Sequence, residues 1–182
     1  LGAIAAILFY IPGIPIIGFY KLEFSALPAL LGGFAMGPWA ALAITFIKDV
    51  TGLLHSSSAF VGELADFLCS SAFVVVASLW YGRHKTYKGA LAGMAMGVLA
   101  LALMGALANY FILIPFYINQ MNFAEAAIIG MMAKVIPAID SMFKVILMAT
   151  VPFNLLKGVV VSVITLLLYK RLSPFLHGRK AG

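Results

Sequence analysis

The sequence predicts an all-α integral membrane protein of six transmembrane helices, with a short second helix and a long first extracellular loop over a cavity. Three observations predict this class. The chain is 64% hydrophobic and only 10% charged, whereas a soluble domain carries about 25% charged residues. Its apolar stretches are continuous and lack the period of two that barrel strands need. Six such stretches, at about 20 residues each, use up nearly all of a 182-residue chain, so residues 1–182 read as one membrane-embedded domain.

Charge placement gives the topology. The formal charge is +6. Arg83, Lys85 and Lys88 share one connection, and Lys170, Arg171, Arg179 and Lys180 lie near the other end of the sixth span. Positive charge stays inside, so both clusters and both termini are expected on the cytoplasmic side of a multi-pass cell-membrane protein. The basic balance thus reports topology and speaks against a nucleic-acid surface. Cys69 is the single cysteine, so no disulfide forms within this sequence.

Leu1–Ile11 reads as part of a first span, already apolar and without the basic region of a signal peptide. Gly2 and Ala6 form a small-xxx-small pair, which serves either bundle packing or close approach of another helix. Pro12, Gly13 and Pro15 end this helix. Ile16–Phe24 then mixes Tyr20, Lys21, Glu23 and Phe24. It suits either a loop folded over a cavity or an interfacial anchor. Ser25 is placed to cap the second helix, with Pro28 in its first turn, and Gly37-Pro38 stops it near Met36.

The third span runs from Trp39 to about Leu54, with Lys48 and Asp49 in its outer half. His55-Ser56-Ser57-Ser58 reads as a polar turn; a hydrolase reading lacks a nucleophile elbow. The fourth span, Ala59 to about Tyr81, carries Glu63 and Asp66 on one face near its start. Such a pair serves a metal, acid–base chemistry or a ligand's hydrogen bonds, and no His or Cys at ligand spacing completes a metal site. The fifth span, about Gly89 to Leu113, opens on Gly89, Gly93 and Gly97, a close-packing face, and ends near Asn109-Tyr110. Asn119–Thr150 is expected to be an extracellular connection with one or two short amphipathic helices. The last span, Phe153 to about Arg171, opens beside Asn154 and Lys157 at a spacing that puts both on one helical face.

On this topology Glu23, Lys48, Asp49, Glu63, Asp66, Asn109, Asn154 and Lys157 collect at the extracellular end. An isolated charge at a helix centre costs about 2.5–3.5 kcal/mol, so this gathering points to a wet or ligand-filled cavity. Amides, carboxylates, lysines and aromatics, without metal-ligand clusters, suit a flat neutral or zwitterionic organic solute. An intramembrane enzyme using Glu63 and Asp66 is the alternative from another class.

The ordered motifs carry a resemblance. Lys21-Leu-Glu-Phe-Ser-Ala-Leu-Pro, Gly37-Pro38, Ile47-Lys48-Asp49, Gly62-Glu63-Leu64-Ala65-Asp66-Phe67, Asn109-Tyr110 with Ile114-Pro115 and Tyr117, and Pro152-Phe153-Asn154-Leu155-Leu156-Lys157-Gly158 together resemble the riboflavin-uptake S components of energy-coupling-factor (ECF) transporters. Asp49 and Asp66 depart from that pattern, which often has Asn at both places. The resemblance implies a non-enzymatic subunit that binds riboflavin from outside as transported ligand, with no cofactor; other vitamins or flavin mononucleotide are the alternatives within the class. It implies a transmembrane coupling subunit and two cytosolic ATPases as partners, and the sequence contains no Walker motif of its own. Gly2 and Ala6 would then face the coupling subunit. Tyr20, Phe24 and Tyr110 would form a slot for the flavin ring and Asn109 would meet its edge. Asn154, Lys157 and Glu63 would serve the ribityl chain, Lys48 would stand near the ligand, and Glu23 would pair with Lys157.

Overall fold

A computed structural model describes residues 1–17, 20–55, 60–122 and 124–176. The serine turn at 56–58 and the basic residues Arg179 and Lys180 lie outside the described residues; no side chain is described at His55, Lys170 or Arg171. The chain is mostly helical. In order it forms α1 (Gly2–Tyr10), a hairpin of β1 (Ile14–Ile17) and β2 (Tyr20–Leu22), α2 (Ala26–Met36), α3 (Pro38–Gly52), α4 (Val61–Arg83) and α5 (Tyr87–Ala108). A π turn at Asn109–Leu113 carries α5 into α6 (Ile114–Asn119). There follow α7 (Glu125–Ala133), α8 (Met142–Val145), a second π turn at Ile146–Thr150 and α9 (Val151–Leu176).

Three stretches are long and apolar enough to cross a membrane unaided: Val61–Arg83, Tyr87–Asn119 and Met142–Tyr169. The latter two exceed the spans read from sequence. Both helices continue through a proline, Pro115 and Pro152. Each proline stands two residues after a π turn. A proline lacks an N–H and its ring crowds the carbonyl four residues back, and the wider π turn absorbs both. Asn119–Thr150 accordingly holds one free-standing helix, α7, and the start of the last long helix.

The described residues of the first loop form a hairpin. Pro12 and Gly13 end α1, and the chain returns as an antiparallel hairpin pairing Ile14 with Leu22 and Pro15 with Lys21. A Cβ on Gly13 would stand 2.8 Å from the Leu22 carbonyl, so the turn into β1 requires glycine. The Ser25 hydroxyl makes no cap bond on α2; instead the Ser25 N–H donates to Glu23 Oε2 at 3.0 Å. The carboxylate reaches the helix start more directly than the buried hydroxyl does. Likewise α4 starts after Phe60, with no side-chain cap.

Small residues set the bundle's spacing. Cβ atoms added at Gly93 and Gly97 would stand 2.7 Å from the carbonyls of Ala77 and Phe73, so α5 lies against the backbone of α4. Thr86 caps α5 by accepting the Gly89 N–H at 3.0 Å. The main core joins α1–α5 and α9 around Leu30, Phe73, Val74 and Met94. At the end that carries Arg83, the Tyr81 and Tyr169 hydroxyls meet at 2.6 Å beside Phe34. A second small core of Met132, Ile139, Val145 and Ala149 seats α7 on the last long helix.

Candidate ligand-binding cavity

The two π turns stand beside each other, and the first contributes Asn109 and Leu113 to the cavity wall. The first turns Asn109 inward, where its Nδ2 donates to the Gly105 carbonyl at 2.8 Å. In α9, Asn154 Nδ2 donates to the Thr150 carbonyl at 2.9 Å. A Cβ at Gly105 would lie 2.5 Å from that amide nitrogen, so glycine leaves the room in which Asn154 sits. Each amide keeps one N–H and acceptor capacity beyond these bonds.

Three residues along α9, Lys157 reaches a cluster of buried charges. Its Nζ lies 2.6 Å from Glu23 Oε1 and 3.2 Å from Asp66 Oδ1. The other Asp66 oxygen accepts from Lys48 Nζ, which also stands 2.6 Å from Asp49 Oδ1 and over the Phe9 ring. The hairpin exit, α3, α4 and α9 are thereby tied together by one chain of ion pairs. Burying charges is unfavourable by several kcal/mol per ion unless each is paired, and here every charged head has an opposite one within reach.

The hairpin covers this floor. The Tyr20 ring stacks on Phe153 at 4.9 Å between centroids. Its hydroxyl donates to Asn109 Oδ1 at 3.0 Å and accepts from Thr150 Oγ1 at 2.6 Å. Tyr20 lies outside the spanning segments, and burial pushes its phenol up to about 12. It therefore stays a neutral donor across the physiological range.

The resulting space has two lobes that share Tyr20, Gly62, Asn109 and Leu113. One, of about 260 Å³, is polar and is also lined by Lys21, Glu23, Asp66, Asn154 and Lys157. The other, of about 400 Å³, is apolar and is walled by Ile114, Tyr117, Ile128 and Met131. Together they offer an apolar lobe beside a floor of amides and ions.

The structure brings Tyr20, Glu23, Asn109, Asn154 and Lys157 to the cavity, as the sequence suggests. It removes Tyr110, which is 53% exposed and lines a lateral groove with Phe111, Pro115 and Met142. Adjacent helical residues point about 100° apart, so an inward Asn109 turns its neighbour outward. Lys48 lies wholly buried behind the lining, paired with Asp66. Phe24 is half-buried and absent from both lobes, and Glu63 is a half-buried neighbour of the lining Gly62. Gly2 packs on Ile47 of α3, where an added Cβ would sit 3.2 Å away, while Ala6 is partly exposed. Sequence reasoning left Leu113, Tyr117, Met131, Phe153 and Gly105 out of the site. Phe153 and Tyr117 stood within the motifs, but Gly105 gave no signal beyond its spacing of eight residues from Gly97.

A helical membrane protein with a two-lobed cavity beneath a hairpin, whose lining Glu23, Asp66 and Lys157 pair with one another, has the build of a solute-binding protein. The chain belongs to the family of ECF transporter substrate-specific components, which it matches over residues 1–169. It is 31% identical over 180 residues to the riboflavin transporter RibU of Staphylococcus aureus strain TCH60, covering 97% of this chain and 88% of the relative. It is 26% identical over 178 residues to the riboflavin transporter FmnP of Bacillus subtilis strain 168, covering 96% and 86%. The solved S component of a bacterial ECF transporter superposes with a TM-score of 0.72 at 30% identity, covering 97% of this chain and 93% of that one. Members of this family are transport subunits, and the enzyme alternative at Glu63 and Asp66 falls with that: Asp66 is already bound to two lysines.

Proposed function

We propose that the chain binds riboflavin at the extracellular face of a bacterial plasma membrane and delivers it inward with an ECF energising module. The observation that carries this reading is the two-lobed cavity. The apolar lobe of Tyr20, Leu113, Ile114, Tyr117 and Met131 suits the isoalloxazine ring. The polar lobe of Asn154, Lys157, Glu23 and Asp66 suits the ribityl hydroxyls, which both donate and accept. The names of the relatives in S. aureus and B. subtilis support the same ligand.

In this reading α1, α2 and α3 add three crossings to the three long helices, giving six, with both termini cytoplasmic. The basic residues Arg83, Lys85 and Lys88 between α4 and α5 fit that orientation. The partners are a transmembrane coupling subunit and two cytosolic ATPases. The outward side chains of α1, Ile4 and Ile7, are exposed and free to meet lipid or the coupling subunit beside Ala6.

The test is direct. Protein purified in detergent from riboflavin-fed cells should be yellow, and added riboflavin should lose its fluorescence on binding. Colourless protein that leaves riboflavin fluorescence unchanged on titration overturns the reading.

A further inference from the structure

We infer that Asp66, with Asp49 behind it, makes this cavity select the uncharged flavin over the same flavin carrying a terminal phosphate. The inference rests on the riboflavin reading above, with the ribityl chain on the ionic floor. It goes beyond that reading by naming what sets the permitted charge.

Asp66 holds both buried ammoniums, Lys157 through Oδ1 at 3.2 Å and Lys48 through Oδ2. Glu23 takes Lys157 from the other side at 2.6 Å, and Asp49 takes Lys48 at 2.6 Å. Asp49 Oδ2 is buried with no hydrogen-bond partner among the described residues. Three carboxylates thus face two ammoniums. The cluster carries a net charge of −1, or zero if one carboxyl holds a proton. In neither state is an ammonium left to neutralise a phosphate dianion.

With amides at positions 49 and 66 the same cluster would hold Glu23 against two lysines, a charge of +1 that welcomes an anion. The two aspartates therefore invert the sign of the floor. The remaining lysine of the lining, Lys21, is exposed on β2 and solvated, so its field is screened. With the cluster at −1, a like unit charge about 5 Å away at an effective dielectric of about 20 is repelled enough to weaken binding by more than about a hundredfold. Ribityl hydroxyls meet no such opposition, since they donate to the same carboxylate oxygens.

The experiment titrates purified wild-type protein and the variants Asp49→Asn and Asp66→Asn with riboflavin and with flavin mononucleotide, following flavin fluorescence. Asp49→Asn removes the surplus charge from outside the lining, so it reports even if Asp66→Asn does not fold. Wild type should prefer riboflavin by at least about a hundredfold, and each variant should narrow that preference by about tenfold or more, chiefly through tighter flavin mononucleotide. Wild type binding both flavins within about threefold overturns the inference and leaves the riboflavin reading standing. Folded variants that keep the full preference overturn it too. Wild type binding neither flavin overturns both.

Discussion

Replacing Lys157 by Met leaves Glu23, Asp66 and Asp49 facing Lys48 alone, and shifts the cluster from −1 to −2. The Glu23 and Asp66 oxygens that now share Lys157 at 2.6 and 3.2 Å lose the cation between them. At an effective dielectric of about 20, charges about 5 Å apart repel by about 3 kcal/mol. This agrees with the roughly 3–5 kcal/mol lost when one partner of a buried pair is removed. A chain of this size loses about 2–4 °C of melting temperature per kcal/mol, so Lys157→Met should melt roughly 10 °C lower. Glu23→Gln is different in kind. It takes the cluster to neutrality and leaves Lys157 paired with Asp66, so its loss should be about 1–2 kcal/mol. The double variant returns the cluster to −1, and it should therefore melt higher than Lys157→Met alone. The assay is thermal unfolding of ligand-free protein in detergent, read by intrinsic fluorescence. A double variant no more stable than Lys157→Met would refute the charge arithmetic.

Further outcomes are expected from three positions. Tyr20→Phe removes the hydroxyl that bridges Asn109 and Thr150 and should weaken riboflavin binding by about 1–2 kcal/mol, measured by fluorescence titration. Because burial lifts the Tyr20 phenol from 10.0 to about 12, its contribution is fully present below about pH 10 and lost as pH rises through about 12. An alkaline titration should therefore show a tyrosine ionising near pH 12 that is lost in Tyr20→Phe. Gly105→Ala would drive a methyl to 2.5 Å from Asn154 Nδ2; it should abolish tight flavin binding by dialysis while the protein still elutes as wild type. Asp140→Asn breaks only the exposed pair with Lys144 at 2.5 Å, and should leave both melting temperature and binding unchanged.

The sequence exposed the helical class and the polar end because both rest on local rules. A run of apolar residues must span, and Glu23, Asp66, Asn154 and Lys157 cannot be left singly in lipid. The proposed Glu23–Lys157 pair followed from charge balance and stands at 2.6 Å. What stayed hidden depends on backbone geometry that composition does not encode. The resemblance implies a ring-slot place for Tyr110, whereas beside an inward Asn109 it stands about 100° round the helix and faces outward. Lys48 looked like a ligand-facing charge, but its depth behind Asp66 follows from how α3 lies on α4. The hairpin register and the shared use of Asp66 by two lysines are likewise products of tertiary packing. Tyr117 and Met131 reach the apolar lobe only because α6 extends the helix and α7 folds against it.

The first π turn also settles the phase of the helix that contains it. Gly89, Gly93, Gly97, Leu101, Gly105, Asn109, Leu113 and Tyr117 form one series at four-residue steps. On a regular α-helix each such step overshoots a full turn by about 40°, and the stripe would wind away from the bundle within a few steps. A turn that holds more residues takes some of that overshoot back just where Asn109 ends the packing glycines and Leu113 begins the cavity wall. One helix therefore keeps a single stripe that is mortar at one end and binding surface at the other. On an uninterrupted α-helix the eight residues from Asn109 would set Tyr117 about 80° round from it, off the cavity wall.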